Sequence, residues 1–195
     1  MNQQRTSRGA ALGLAGLVLV VGYGLDQFTK HLVVTKMDLY ESIDVIPGLA
    51  RWYSIRNSGA AFSLGEGYTW IFTIFMSVVA VAVAAFLLPR VRTRTWGLAL
   101  GGLLAGTLGN LTDRLFREPS FGQGHVVDFI SVGNFAIFNV ADSFIVLSMI
   151  AVVLLLWFGV PLDGKRSRKA DPDTMDDDAA VGSADGASTP SGTDA

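Results

Sequence analysis

Four long apolar blocks divide this chain, with polar segments between them. They run over about residues 10–34, 68–88, 96–116 and 138–160. A helix needs about 20 apolar residues to cross the hydrocarbon core of a bilayer. In that core each backbone N–H and C=O must be satisfied within the segment, so blocks of this length fold as helices. The expected fold is therefore a membrane protein, mainly α, with four transmembrane helices. Composition agrees: 50% of the 195 residues are hydrophobic and 16% are charged, less charge than a soluble domain carries.

Several chemistries are excluded at once. The chain has no cysteine, which rules out disulfides, thiol catalysis and cysteine metal sites. His31 and His125 are the only histidines, too few for a histidine-rich metal site. No glycine loop ends in Lys-Ser/Thr, so a nucleotide phosphate cradle is absent. No metal, no cofactor and no nucleic-acid partner are expected.

Residues 1–9 are polar and contain Arg5 and Arg8. A charged start before an apolar run also fits a cleavable signal peptide. The lack of a clean small-x-small cleavage site and the three further spans favour an anchor. After the fourth span come Lys165, Arg166, Arg168 and Lys169, then a stretch of Asp, Ala, Gly, Ser and Thr. Such a segment cannot bury enough apolar surface to order itself. The chain thus divides into a cytoplasmic N-terminus (1–9), a membrane domain (10–160) and a basic, then acidic, disordered cytoplasmic tail (161–195). Orientation follows from lysine and arginine near the span ends. Nine of the fifteen lie at the N-terminus, in the Arg90/Arg92/Arg94 turn and in the Lys165–Lys169 cluster. Both termini are therefore expected in the cytoplasm, and both long loops outside.

Polar residues collect at the outer ends of the spans. The first ends in Asp26-Gln27-Phe28-Thr29-Lys30, where Asp26 and Lys30 are i,i+4 in the favourable acid-first order. They serve either as an ion pair at a helix end or in binding substrate head groups. The segment of about residues 36–67 is too polar to span. Val45-Ile46-Pro47-Gly48 is a turn signal, and Leu49 to Ile55 reads as a strand. A small sheet at the membrane surface is expected there. The third span repeats small residues at Gly97, Gly101, Ala105 and Gly109, the pattern of close helix packing. Its end carries Asn110 and Arg114 at i,i+4, with Asp113 beside them. Residues 117–137 read as a polar loop.

The stretch from His125 to Ser143 concentrates the chemistry. It holds Asp128 and Asp142, each among apolar residues, with Asp142 at the mouth of the fourth span. A carboxylate there is costly and marks a functional site by default. Two neighbouring carboxylates cannot both ionise easily, so one keeps its proton. The pair can then hydrolyse a peptide: one member takes a proton from water and the other donates to the scissile carbonyl. Each aspartate also has a plain structural role open to it. Asn139 can cap the fourth helix with Asp142 as its partner three residues on. Asp128 can cap backbone amides in a turn.

These residues also resemble a known family, the bacterial lipoprotein signal peptidases (signal peptidase II). The blocks that carry the likeness are Asp26 to Lys30, Arg56-Asn57-Ser58-Gly59-Ala60-Ala61-Phe62-Ser63, Gly109-Asn110-Leu111-Thr112-Asp113-Arg114, Val127-Asp128-Phe129-Ile130 and Phe138-Asn139-Val140-Ala141-Asp142. The resemblance implies an intramembrane aspartic endopeptidase of the cell membrane, its active site on the extracytoplasmic side. Its substrates would be diacylglyceryl-modified prolipoproteins, cut just before the lipidated cysteine. Asp128 and Asp142 match the catalytic dyad; Asn57, Asn110, Arg114 and Asn139 match residues that line the site and hold substrate. Asp26 and Lys30 match a further polar block, taken with the substrate-binding set. The fold implied is four transmembrane helices with a small extracytoplasmic β-cradle. Membrane lipids are expected partners, and a monomer is the expected state. The segment Ser131 to Ile137 is short for the family.

Two other classes fit a small polar membrane protein. One is an ion-coupled transporter with the carboxylates on its path, although the inner halves of the spans lack ionisable residues. The other is a non-catalytic lipid-binding factor, which has no need of both aspartates.

Overall fold

A computed structural model describes residues 7–59 and 68–164 of the chain. The tail beyond Gly164 and the block Ala60 to Ser63 lie outside the described residues. Helix α1 spans Arg8–Lys36, capped by the Ser7 hydroxyl, which accepts from the Ala10 amide. Strands β1 (Ser42–Ile46) and β2 (Ala50–Asn57) follow. Helix α2 covers Thr69–Ala82 and runs on through a π turn, Val83–Leu87, and a 3-10 turn, Leu88–Arg90. Then come α3 (Arg94–Phe116), β3 (Val126–Val132) and α4 (Val140–Trp157). The mainly helical fold with a small sheet is as expected.

Three of the four helices are long and apolar enough to cross a membrane: Arg8–Lys36, Thr69–Arg90 and Val140–Trp157. Helix α3 is not among them, and its position explains why. Sixteen of its 23 residues are buried, so it is solvated by the other helices and not by lipid. It can therefore carry glycines and a polar end. The outer helices show the reverse pattern. On α2, Ile74, Phe75, Val78 and Val81 are exposed, as a lipid-facing surface requires.

Lipid tails are as apolar as leucine, so burial alone does not drive helices together; close packing does. The expected small-residue stripe supplies it. A Cβ on Gly101 would lie 2.5 Å from the Ala15 carbonyl oxygen and 2.9 Å from its Cα. Only glycine lets α1 and α3 approach so closely. Around this contact Trp96, Leu100, Leu104 and Leu111 form the core with Ala80, Val83 and Val91. The Trp96 indole donates to the Val160 carbonyl at 2.9 Å and ties the end of α4 to the start of α3.

The three strands form one antiparallel sheet in the order β1-β2-β3. The Pro47-Gly48 turn closes the first hairpin: the Leu49 amide donates to the Ile46 carbonyl at 2.9 Å, and Gly48 has φ +74°. Strand β3 is a difference from the sequence expectation, which had residues 117–137 as a loop. Val126 to Phe129 are all buried, because β3 is covered on both faces. It then shows no polar alternation to betray it. Val127 and Phe129 pack on Val33, with Met37, Ile130 and Val140 around them. That cluster seats the sheet on the ends of α1 and α4. The short return from β3 is a tight turn: Phe138 pairs with Ile130 through two backbone bonds of 2.8 and 3.0 Å. The start of α4 is thereby fixed against the strand that carries Asp128.

Candidate active site

Each polar helix end contributes to one connected network. Asn139 is the N-cap of α4 and forms a complete capping box. Its side-chain oxygen accepts the Asp142 amide at 3.0 Å, and Asp142 Oδ2 accepts the Asn139 amide at 3.0 Å. Three-residue spacing on a helix makes this geometry available. The structural role open to Asp142 is therefore real, but it engages only one carboxylate oxygen. Oδ1 accepts the Asn110 side-chain amide at 2.7 Å.

Asp128 lies opposite Ile55 in the β2–β3 register and is 1% exposed. Its two oxygens accept side-chain amides: Oδ2 from Asn57 at 2.8 Å and Oδ1 from Asn139 at 2.6 Å. These are side-chain partners within a strand, so Asp128 does not take the turn-capping role open to it. The Asn139 amide also reaches Asn110 Oδ1 at 3.1 Å. Asn139 thus contacts both aspartates. Burial first, and the nearby Asp142 second, push the Asp128 carboxyl up to about 7. The donated bonds of Asn57 and Asn139 work against that rise.

A cavity of about 610 Å³ opens on this network. Asp128 and Asp142 both line it, together with Asn57, Asn110 and Arg114. Its other walls are apolar: Phe72 and Met76 from α2, Ile145, Val146 and Leu147 from α4, and Phe135 and Phe138 from the turn. A mostly apolar pocket with a few converging polar groups is what a small-molecule or peptide site looks like. Arg114 donates to the carbonyls of Ser58 and Gly59, and its guanidinium sits 5.3 Å from the Phe72 ring centroid.

A signal peptidase (SPase) II family model matches residues 18–158, most of the chain. The chain belongs to the signal peptidase II family. It is 44% identical to the lipoprotein signal peptidase of Leifsonia xyli subsp. xyli over 197 residues, 99% of this chain and 86% of that protein. It is also 44% identical to that of Streptomyces coelicolor over 161 residues, 83% of this chain and 78% of that protein. A solved bacterial membrane enzyme, determined by the in meso method at 2.3 Å resolution, superposes with TM-score 0.69 at 30% identity. It covers 82% of this chain and 96% of its own. The chain is thus a protease of the signal peptidase II type and a membrane protein.

In this family member the expected site residues fall into two groups. Asp128, Asp142, Asn57, Asn110 and Arg114 face the cavity, and Asn139 sits directly behind the two aspartates. Asp26 and Lys30 are fully buried at 0% exposure and are not among the cavity-lining residues. Sequence reasoning left out Phe72 and the Ser58 and Gly59 carbonyls around Arg114. No periodicity marks them, since they come from a helix face and a loop distant in sequence.

Proposed function

We propose that the chain removes the signal peptide from lipid-modified prolipoproteins, with Asp128 and Asp142 as an aspartic dyad. The observation that carries this reading is a buried carboxylate, Asp128, and a half-buried one, Asp142, linked through Asn139 on one cavity wall. The pair carries one proton between its members at neutral pH. The ionised carboxylate takes a proton from water as the water oxygen attacks the scissile carbonyl carbon. The neutral one gives its proton to the carbonyl oxygen. As the tetrahedral intermediate collapses, the C–N bond breaks and the dyad returns a proton to the leaving amine. Asn57, Asn110 and Asn139 hold the carboxylates by their amides, and Arg114 offers a buried cation at the cavity wall.

The apolar walls suit the rest of the substrate. The cavity lies between α2 and α4, both of which present apolar surface to lipid. A diacylglyceryl group can enter there from the bilayer while the peptide crosses the dyad. Cleavage then falls just before the lipidated cysteine. The site is built from one chain, which fits a monomer. Both termini face the cytoplasm and the site faces the other side.

Purified protein in detergent, given a diacylglyceryl-modified preprotein, tests the substrate class. Release of the signal peptide is expected, with the unmodified preprotein cut far more slowly. Equal cleavage of both would overturn the lipid part of the reading, and no cleavage of either would overturn the whole.

A further inference from the structure

Behind the cavity lies a buried ionic cluster that the proposed chemistry does not use. Lys30 reaches from α1 into the interface with α3, with no exposed surface. Its ammonium lies 2.9 Å from Asp26 Oδ2, 2.8 Å from Asp113 Oδ2 and 2.8 Å from Asn110 Oδ1. Three donors thus meet three acceptors, and the ammonium is fully satisfied. Asp26 and Asp113 are likewise unexposed. Gly109 makes room for this cluster, since a Cβ there would lie 2.5 Å from Asp26 Oδ2.

Each arm of the cluster ends on a backbone or amide beside one aspartate of the dyad. Asp26 Oδ1 accepts the amide of Ala141, the residue before Asp142, at 2.9 Å. Asp113 Oδ2 accepts the amide of Val127, the residue before Asp128, at 3.3 Å. Lys30 holds the oxygen of the Asn110 side chain, so the Asn110 NH₂ group must point the other way, toward Asp142. An asparagine amide can flip, and a fixed cation on one side decides which way it faces.

We propose that Asp26, Lys30 and Asp113 form a positioning clamp that sets the separation of Asp128 and Asp142 and orients Asn110 toward Asp142. This rests on the dyad reading above. The clamp joins α1, α3, β3 and α4 at one ammonium, so strand and helix cannot drift apart independently. None of its members touches substrate. Its contribution is therefore to the rate at which a bound substrate reacts and not to binding. Displacing reacting groups by about 1 Å from outside a site can cost about 10²-fold in rate.

The test is steady-state kinetics of folded, purified Lys30→Met on a lipidated preprotein. The expected result is a fall in kcat of about 10²-fold with KM unchanged. Removing one member of a buried ion cluster leaves uncompensated charge and can prevent folding. The double variant Lys30→Met/Asp26→Asn removes one charge of each sign, leaves Asp113 paired with Arg117 at 2.5 Å, and is measured alongside. It should fold and show the same kcat loss at unchanged KM. Wild-type kcat in either folded variant overturns the clamp, as does a loss confined to KM. Asp128→Asn and Asp142→Asn, measured in parallel, separate the two claims. If they are inactive while Lys30→Met turns over normally, the clamp alone is wrong. If they are active, the dyad reading fails, whatever Lys30→Met does.

Discussion

The side-chain amide of Asn139 donates to Asp128 at 2.6 Å, and the same residue's backbone amide donates to Asp142 at 3.0 Å. One asparagine therefore fixes a strand carboxylate and a helix carboxylate relative to each other. Asn139→Ala should free Asp128 and uncap the Asp142 amide, while the backbone bond to the Asp142 carboxylate stays. The lost cap should lower stability by about 1 kcal/mol. The released Asp128 carboxylate should lower kcat by about 10²-fold, well beyond the stability effect. Thermal unfolding and turnover of the same preparation check the two together. A variant with the stability loss and normal turnover would show that Asn139 is only a cap.

The raised carboxyl of Asp128 gives a pH dependence with a definite sign. The group is held at about 7, above its ordinary value of 3.8, by burial and by Asp142. Below about 7 the dyad retains its shared proton, and above it the proton is lost. Turnover should fall on the alkaline side with an apparent pKa near 7 that belongs to the pair. It should fall again in acid, once no carboxylate remains to accept a proton from water. The folded state binds this proton more tightly than the unfolded chain does. Stability therefore declines as pH rises from about 4 to about 7. Asp128→Asn removes that titration. Melting temperatures of wild type and variant should diverge across this window, with the wild type losing ground. A parallel pair of curves would contradict the assignment.

Much of the site was legible because helices convert spacing into geometry. Asn139 and Asp142 at i,i+3 spell a capping box, and Asp26 and Lys30 at i,i+4 spell an ion pair; both are present. The glycine spacing of α3 likewise foretold close helix packing, though not that its partner is α1. Strand β3 was not legible. Val126 to Phe129 are buried on both faces, so the strand reads as a short apolar run inside a polar segment. The depth of Lys30 was hidden too. A lysine at a helix end normally reaches water, and only the packing of α3 against α1 closes this one in.

Close approach of α1 and α3 carries its own prediction. Gly101→Val would place a branched side chain where the Ala15 carbonyl lies 2.5 Å from the first added carbon. The helices must separate, at a cost of about 1–3 kcal/mol as for other overpacked sites. Melting in detergent should show the loss, and Gly16→Val, with nothing near its added carbon, should not. Equal melting of the two variants would contradict the packing.

Orientation is tested by labelling. Cysteines introduced at Ser42 and Ser120, both on polar segments between spans, should react with an impermeant thiol reagent in intact spheroplasts. One introduced at Ser167, within the basic cluster, should react only after lysis. The reverse pattern would refute the topology proposed here.

The dyad itself is tested most directly by turnover of a lipidated preprotein by Asp128→Asn, Asp142→Asn and the double variant. Asp44→Asn, on the exposed strand β1, serves as the control. General acid–base catalysis contributes about 10²–10⁴-fold, so each single variant should lose at least that much. Residues that act as a unit are strongly non-additive, so the double variant should be hardly slower than either single one. Near wild-type turnover by folded Asp128→Asn or Asp142→Asn would contradict the aspartic mechanism.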